Sequence, residues 1–213
     1  MRTITLADDV TEAACEIREA AAILRAGGII AYVTETVYGL ACDATNASAC
    51  ERLAELKGRE ENHPFPVQVY RVEPPWWTEP LPEAARLLFE SFAPGPITVV
   101  VPGDPRIAPL ARGRGGSVGL RVPNHPVALA LLSAFGGPLA CPSANKTGSP
   151  PAMRVEEIVA ALGSGLEMVL SGGPSPLGTP STVVDVTGDS PEVLRVGAIA
   201  EERVRECLHA LYG

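Results

Sequence analysis

Apolar positions recur every three or four residues across positions 11–25, where Ala14, Ile17, Ala21 and Leu24 share one face. That spacing predicts an amphipathic helix, and Gly27-Gly28 supplies its stop. Residues 29–33 are continuously apolar, as in a strand buried on both faces. Ser48-Ala49-Cys50-Glu51 has the form of a capping box opening a helix to about Leu56. A short strand is expected over 66–70. A helix is expected over 82–92, with Pro82 as its first residue, and Ala93-Pro94-Gly95-Pro96 breaks it. The β-branched run 97–101 follows as a strand. Further strands are expected over 117–122, 139–141, 167–170, 182–186 and 192–195, and helices over 126–135, 155–162 and 201–211. This alternation predicts a single α/β domain over residues 1–213. Three adjacent strand pairs lack an intervening helix, so the sheet is expected to be mixed, twisted and flanked by helices.

Against that pattern, polar residues gather at strand ends and in the turns beyond them. Thr34-Glu35-Thr36 follows the first buried strand, and Lys57-Gly58-Arg59 follows a helix. Ser117 and Arg121 lie four apart on one strand and so face the same way. Pro142-Ser143-Ala144-Asn145, Gly178-Thr179-Pro180-Ser181-Thr182 and Arg195 complete the set. In open α/β sheets, ligands sit where strand-end loops converge. The cations Lys57, Arg59, Arg121 and Arg195, with several hydroxyls, predict a cavity for an anion, phosphate first. Each piece also has a plainer reading. Thr34 and Thr36 are β-formers, Lys57 and Arg59 suit a helix end, and Ser143 and Asn145 suit a turn. Arg121 is the exception, because an Arg within Val118-Gly119-Leu120-Arg121-Val122-Pro123 needs an anionic partner.

Neither a G-x-x-x-x-G-K-[ST] loop nor a dinucleotide fingerprint occurs. Ser143-Ala144-Asn145-Lys146 and Lys146-Thr147-Gly148 fit the S-x-x-K and K-T-G patterns of β-lactamase-like enzymes, but they share one lysine and no S-D-N accompanies them. The stretch 112–116, Arg-Gly-Arg-Gly-Gly, suits a surface loop or a flap over a charged site.

Composition narrows the classes. The chain has 213 residues, 46% hydrophobic and 20% charged, as in a soluble globular protein. No apolar run approaches the ~18 residues of a membrane span, and no signal-peptide core opens the sequence, so a cytoplasmic protein is expected. The net charge of −8 argues against a generic nucleic-acid coat while leaving room for a local basic cavity. Five irregularly spaced cysteines without C-x-x-C suggest neither a disulfide framework nor zinc.

The motifs together resemble the YrdC-like family, the threonylcarbamoyl-AMP synthases, in a short form without the extra C-terminal domain. Thr34 to Leu40 is similar to P-T-[DE]-T-x-Y-G-L, and Lys57-Gly58-Arg59 with Pro64 to K-x-R-P-x-x-x-P-L. Pro94-Gly95-Pro96-Ile97-Thr98 resembles W-P-G-P-L-T, and Val118 to Pro123 resembles V-x-V-R-x-P. Pro142-Ser143-Ala144-Asn145, Ser181-Thr182-Val183 and Leu194-Arg195-Val196-Gly197 match P-S-A-N, S-T-[VI] and L-R-P-G, all in order. Val33, Gln68, Ala93 and Val196 depart from the usual residues.

The resemblance implies a YrdC-like fold around a positively charged cavity. It also implies a nucleotidyltransferase reaction: L-threonine, bicarbonate and ATP give threonylcarbamoyl-AMP and pyrophosphate. The product feeds a tRNA threonylcarbamoyl-transferase complex, and weak tRNA or RNA binding would fit that setting. By the same resemblance Lys57 and Arg59 are catalytic. ATP contacts Lys57, Arg59, His63, Ser117, Cys141, Ser143, Asn145 and Arg195, and threonine contacts Thr36, Arg121 and Ser181. Mg2+ would enter on the ATP phosphates, with no dedicated protein cage. The alternative is a non-catalytic RNA- or nucleotide-binding module on the same fold.

Overall fold

The computed structural model describes residues 1–6, 13–58, 63–72 and 80–212. In chain order its elements are β1 (Arg2–Thr5), α1 (Ala14–Arg25), β2 (Ile30–Tyr32), β3 (Gly39–Asp43), α2 (Ala47–Lys57) and β4 (Val67–Gln68). There follow α3 (Glu83–Phe92), β5 (Ile97–Val101), β6 (Val118–Arg121), α4 (Pro126–Phe135), β7 (Leu139–Ala140) and α5 (Val155–Leu162). β8 (Met168–Ser171), β9 (Thr182–Asp185), β10 (Glu192–Arg195) and α6 (Glu201–Tyr212) close the chain.

Among the described residues ten strands form one sheet in the order β1-β8-β2-β3-β7-β4-β6-β5-β9-β10. β1·β8, β2·β8, β4·β6 and β5·β9 are parallel and the other pairs antiparallel, so the sheet is mixed, as expected. Its centre is sealed by fully buried side chains, among them Tyr32, Tyr38, Phe65, Leu53, Leu88, Leu120 and Leu131. Among the described residues no helix is long and apolar enough to cross a membrane.

Local chemistry accounts for most boundaries. α1 ends in a Schellman closure: Gly28 N–H donates to Ile23 O, Gly27 N–H donates to Leu24 O, and Gly27 takes φ +82°. α2 is capped by Asn46, whose side-chain oxygen accepts from Ala49 N, so the capping box expected at Ser48 is displaced by a better-placed cap. Pro82 caps α3 from just outside, one residue short of its expected place inside the helix. In α4, Pro126 takes the first position and His125 Nδ1 accepts from Val127 N.

Two strands escaped the sequence pattern. β1 is a four-residue edge strand with mostly exposed positions, so no apolar run marks it. β3, Gly-Leu-Ala-Cys-Asp, has weak β propensity and is held by antiparallel pairing to β2 and β7.

Candidate active site

A cavity of about 450 Å³ lies over one face of the sheet, against Thr98 and Val100 of β5, Gly119 and Arg121 of β6 and Val183 of β9, with the turns after β2 and β7 and the end of β10 around it. Thr36, His63, Ser117, Arg121, Cys141, Ser143, Ser181 and Arg195 all line it. Eight of the residues singled out from sequence therefore face one space. Lys57 and Asn145 stand behind its wall, and Arg59 lies outside the described residues.

The first wall is the turn after β2. Thr34, Glu35 and Thr36 are almost fully buried. Thr34 Oγ1 donates its only hydrogen to Val37 O at 2.6 Å. The 2.9 Å contact between Thr34 and Thr36 hydroxyls is therefore donated by Thr36. Thr36 Oγ1 in turn accepts from Arg121 Nη2 at 2.8 Å. The hydroxyls thus lock the turn and one edge of a guanidinium together.

Arg121 is held from three sides. Nη2 donates to Glu35 Oε1 at 2.7 Å as well as to Thr36, and Nε donates to Gly95 O at 3.3 Å. The ion pair is sealed from solvent, with side-chain exposures of 8% and 7%. Glu35 is thus the anionic partner that the sequence required without naming. Of the five guanidinium N–H groups, both on Nη1 lack a protein partner among the described residues. The free donors sit on one nitrogen, so a two-nitrogen fork on a carboxylate would have to displace Thr36 or Glu35.

Arg195 reaches the same space from β10. Its Nη2 donates to Ser181 O at 2.9 Å, and Ser181 Oγ lies 2.8 Å from Thr98 Oγ1. Burial first, then the positive charge of Arg121, pull Arg195 below the usual guanidinium pKa. Among the described residues no Asp or Glu lines the cavity.

The third wall is neutral. Tyr32 Oη donates to Gln68 Oε1 at 2.7 Å and lies 2.9 Å from Cys141 Sγ. Gln68 is buried and lines the cavity, and with its oxygen held it keeps its amide N–H groups for a ligand. Burial pushes the Cys141 thiol up to about 11, so it is protonated at neutral pH and serves as wall, not nucleophile.

Lys57 ends α2 beneath the turn after β7. Its Nζ donates to Ser143 O at 2.6 Å and Asn145 O at 2.7 Å. Asn145 accepts from Ser143 Oγ at 2.5 Å and donates to Ser149 O at 2.6 Å. Both residues shape the loop that puts Ser143 in the cavity.

One family profile, Sua5–YciO–YrdC, described as "Telomere recombination", matches residues 22–197. The chain belongs to the Sua5–YciO–YrdC family. It is 34% identical over 211 residues to the threonylcarbamoyl-AMP synthase of Bacillus subtilis, covering 98% of this chain and 61% of that protein. A putative threonylcarbamoyl-AMP synthase of Mycobacterium tuberculosis is 37% identical over 195 residues, with 90% and 88% of the two chains covered. The solved structure of Pyrococcus abyssi Sua5 complexed with L-threonine superposes with a TM-score of 0.87 at 31% identity, covering 97% of this chain and 59% of that one. The chain thus spans about three fifths of the length of the Bacillus and Pyrococcus relatives.

Four residues in or behind the cavity wall were not singled out from sequence as ligand residues: Gln68 and Thr98, which line it, and Glu35 and Tyr32, which stand behind it. Gln68 carried a usable signal, a lone amide within the apolar run Val67-Gln68-Val69. Gly39 opens β3 and lines the cavity. A Cβ there would meet Cys141 Sγ at 2.6 Å, so Gly39→Ala is expected to cost about 1–3 kcal/mol by overpacking. Thermal melting checks this, and an unchanged midpoint would contradict the close approach.

Proposed function

We propose that this chain is a threonylcarbamoyl-AMP synthase, an adenylyl-transferring enzyme acting on L-threonine, bicarbonate and ATP. The observation that carries the reading is the pair Arg121 and Arg195 opening on one cavity that no carboxylate lines among the described residues. Such a space suits a ligand with two anionic ends. Arg121 Nη1 would hold the threonine carboxylate, with Thr36, Ser181 and the Gln68 amide around the rest of the molecule. Arg195, Ser117, Ser143 and His63 would receive the nucleotide phosphates. Arg59 belongs with them by resemblance, and Lys57 would reach a phosphate by giving up one of its carbonyl partners.

The chemistry then needs no protein nucleophile. The threonine amine combines with bicarbonate, releasing water, to give a carbamate. A carbamate oxygen attacks the α-phosphorus of ATP, and pyrophosphate leaves. The protein contributes position and charge neutralisation, as in other transfers at phosphorus. Among the described residues no cluster of three or more His, Cys, Asp or Glu is gathered for a metal. Mg2+ would arrive as part of the nucleotide, held by phosphate oxygens. The product is a mixed anhydride, and a transferase that threonylcarbamoylates tRNA would consume it.

The test is incubation with ATP, Mg2+, bicarbonate and L-threonine. Mass spectrometry is expected to find threonylcarbamoyl-AMP, with pyrophosphate released only when threonine is present. Folded protein that binds ATP but makes no product would overturn the reading in favour of a nucleotide- or RNA-binding module.

A further inference from the structure

Glu35 is the residue that the mechanism leaves over. Its carboxylate is buried, with 5% of the residue exposed, and it does not line the cavity. It grips Arg121 through Oε1 alone, at 2.7 Å. Its second oxygen, Oε2, is buried and has no hydrogen-bond partner among the described residues. A buried carboxylate oxygen with no donor carries a cost that a purely structural pair avoids by a two-point grip. Here Nη2 of Arg121 is shared with Thr36, and Nη1, on a residue that lines the cavity, has no protein partner among the described residues. The Glu35–Arg121 unit therefore has no net charge, a positive pole at Nη1 and an uncompensated negative pole at Oε2.

We infer that Glu35 is a specificity-determining residue: it neutralises Arg121 so that the amino-acid subsite admits its substrate as a zwitterion and rejects a bare anion at the binding step, before the amine becomes a carbamate. This rests on the synthase reading above. A lone Arg121 in this low-dielectric place would attract any phosphate oxygen, including those of ATP, whose proper place is a short distance away at Arg195. A guanidinium already paired gains little Coulomb energy from a simple anion, because Glu35 repels it from behind. A zwitterion keeps its hydrogen bonds to Nη1 while its ammonium offsets that repulsion. Discrimination thus comes from a built-in repulsive element as much as from an attractive one.

Inorganic phosphate is the probe, assayed as an inhibitor against threonine at saturating ATP so that the nucleotide side is filled. In the unaltered chain phosphate is expected to compete poorly with threonine. In Glu35→Gln, phosphate should become a threonine-competitive inhibitor with Ki lowered by about tenfold or more, the order of one partly buried charge contact, while the threonine KM rises. Glu35→Asp keeps the charge and should keep the original ranking of the two ligands. A merely structural Glu35 would weaken both ligands together or leave phosphate unchanged, and either result overturns the inference. Should Glu35→Gln not fold, the unaltered chain still decides. Phosphate competing with threonine as tightly as threonine binds would overturn it. Absence of any threonine-dependent product removes the synthase reading and this inference with it, whereas an active enzyme with unaltered phosphate inhibition in Glu35→Gln removes the inference alone.

Discussion

Arg121→Ala is expected to raise the threonine requirement by about thirtyfold or more, the equivalent of ~2 kcal/mol for a lost charge-assisted contact. The ATP requirement should change far less. The same substitution strands Glu35 as an unpaired buried carboxylate, and breaking a buried pair from one side costs about 3–5 kcal/mol. Melting should therefore fall together with threonine affinity. The surface pairs of Arg86 with Glu83 and Glu90 are solvent-screened, so their removal should leave melting almost unmoved. Steady-state kinetics with threonine and ATP varied separately, alongside thermal melting, checks both halves. Unchanged threonine dependence would remove Arg121 from the substrate site.

Lys57→Met should produce the second large effect. Methionine fills a similar volume, so the loss is chiefly of donors to Ser143 O and Asn145 O. Each buried carbonyl left without its partner costs about 1–3 kcal/mol. A total near 3 kcal/mol would lower the melting midpoint by roughly 6–12 °C for a chain of this size. The loop carrying Ser143 would relax, so kcat should fall as well. A lysine serving only phosphate would show the opposite split, with the ATP KM raised and the melting midpoint unchanged. Calorimetry and ATP kinetics on one preparation separate the two.

The particular elements show what was legible along the chain. The 3.6-residue recurrence of Ile17, Ala21 and Leu24 and the apolar run before Thr34 carried α1 and β2, because burial on one face or on both imposes those periods directly, whereas Ala14, the first member of the pattern, is exposed. β3 was not legible, since a Gly-Ala-Cys strand is made stable by the two strands beside it. The cap of α2 went to Asn46 over Ser48 by a difference of two positions in where the helix begins, a choice made by β3 and its turn as much as by the helix.

By itself the sequence determined the order of helices and strands, the placing of hydroxyls, cations and glycines at strand ends, and membership in a family through motifs kept in order. Those are local properties, set by side-chain period and turn chemistry. The tertiary structure alone decided which of these residues share a cavity and what each already holds. Glu35 meets Arg121 across 86 positions, and Lys57 meets Ser143 across the same separation, because strand order in the sheet brings β2, β6 and β7 to one end. Such pairings answer the demand that buried charges and carbonyl oxygens find partners, and that demand is met in space, wherever the fold brings a donor within reach.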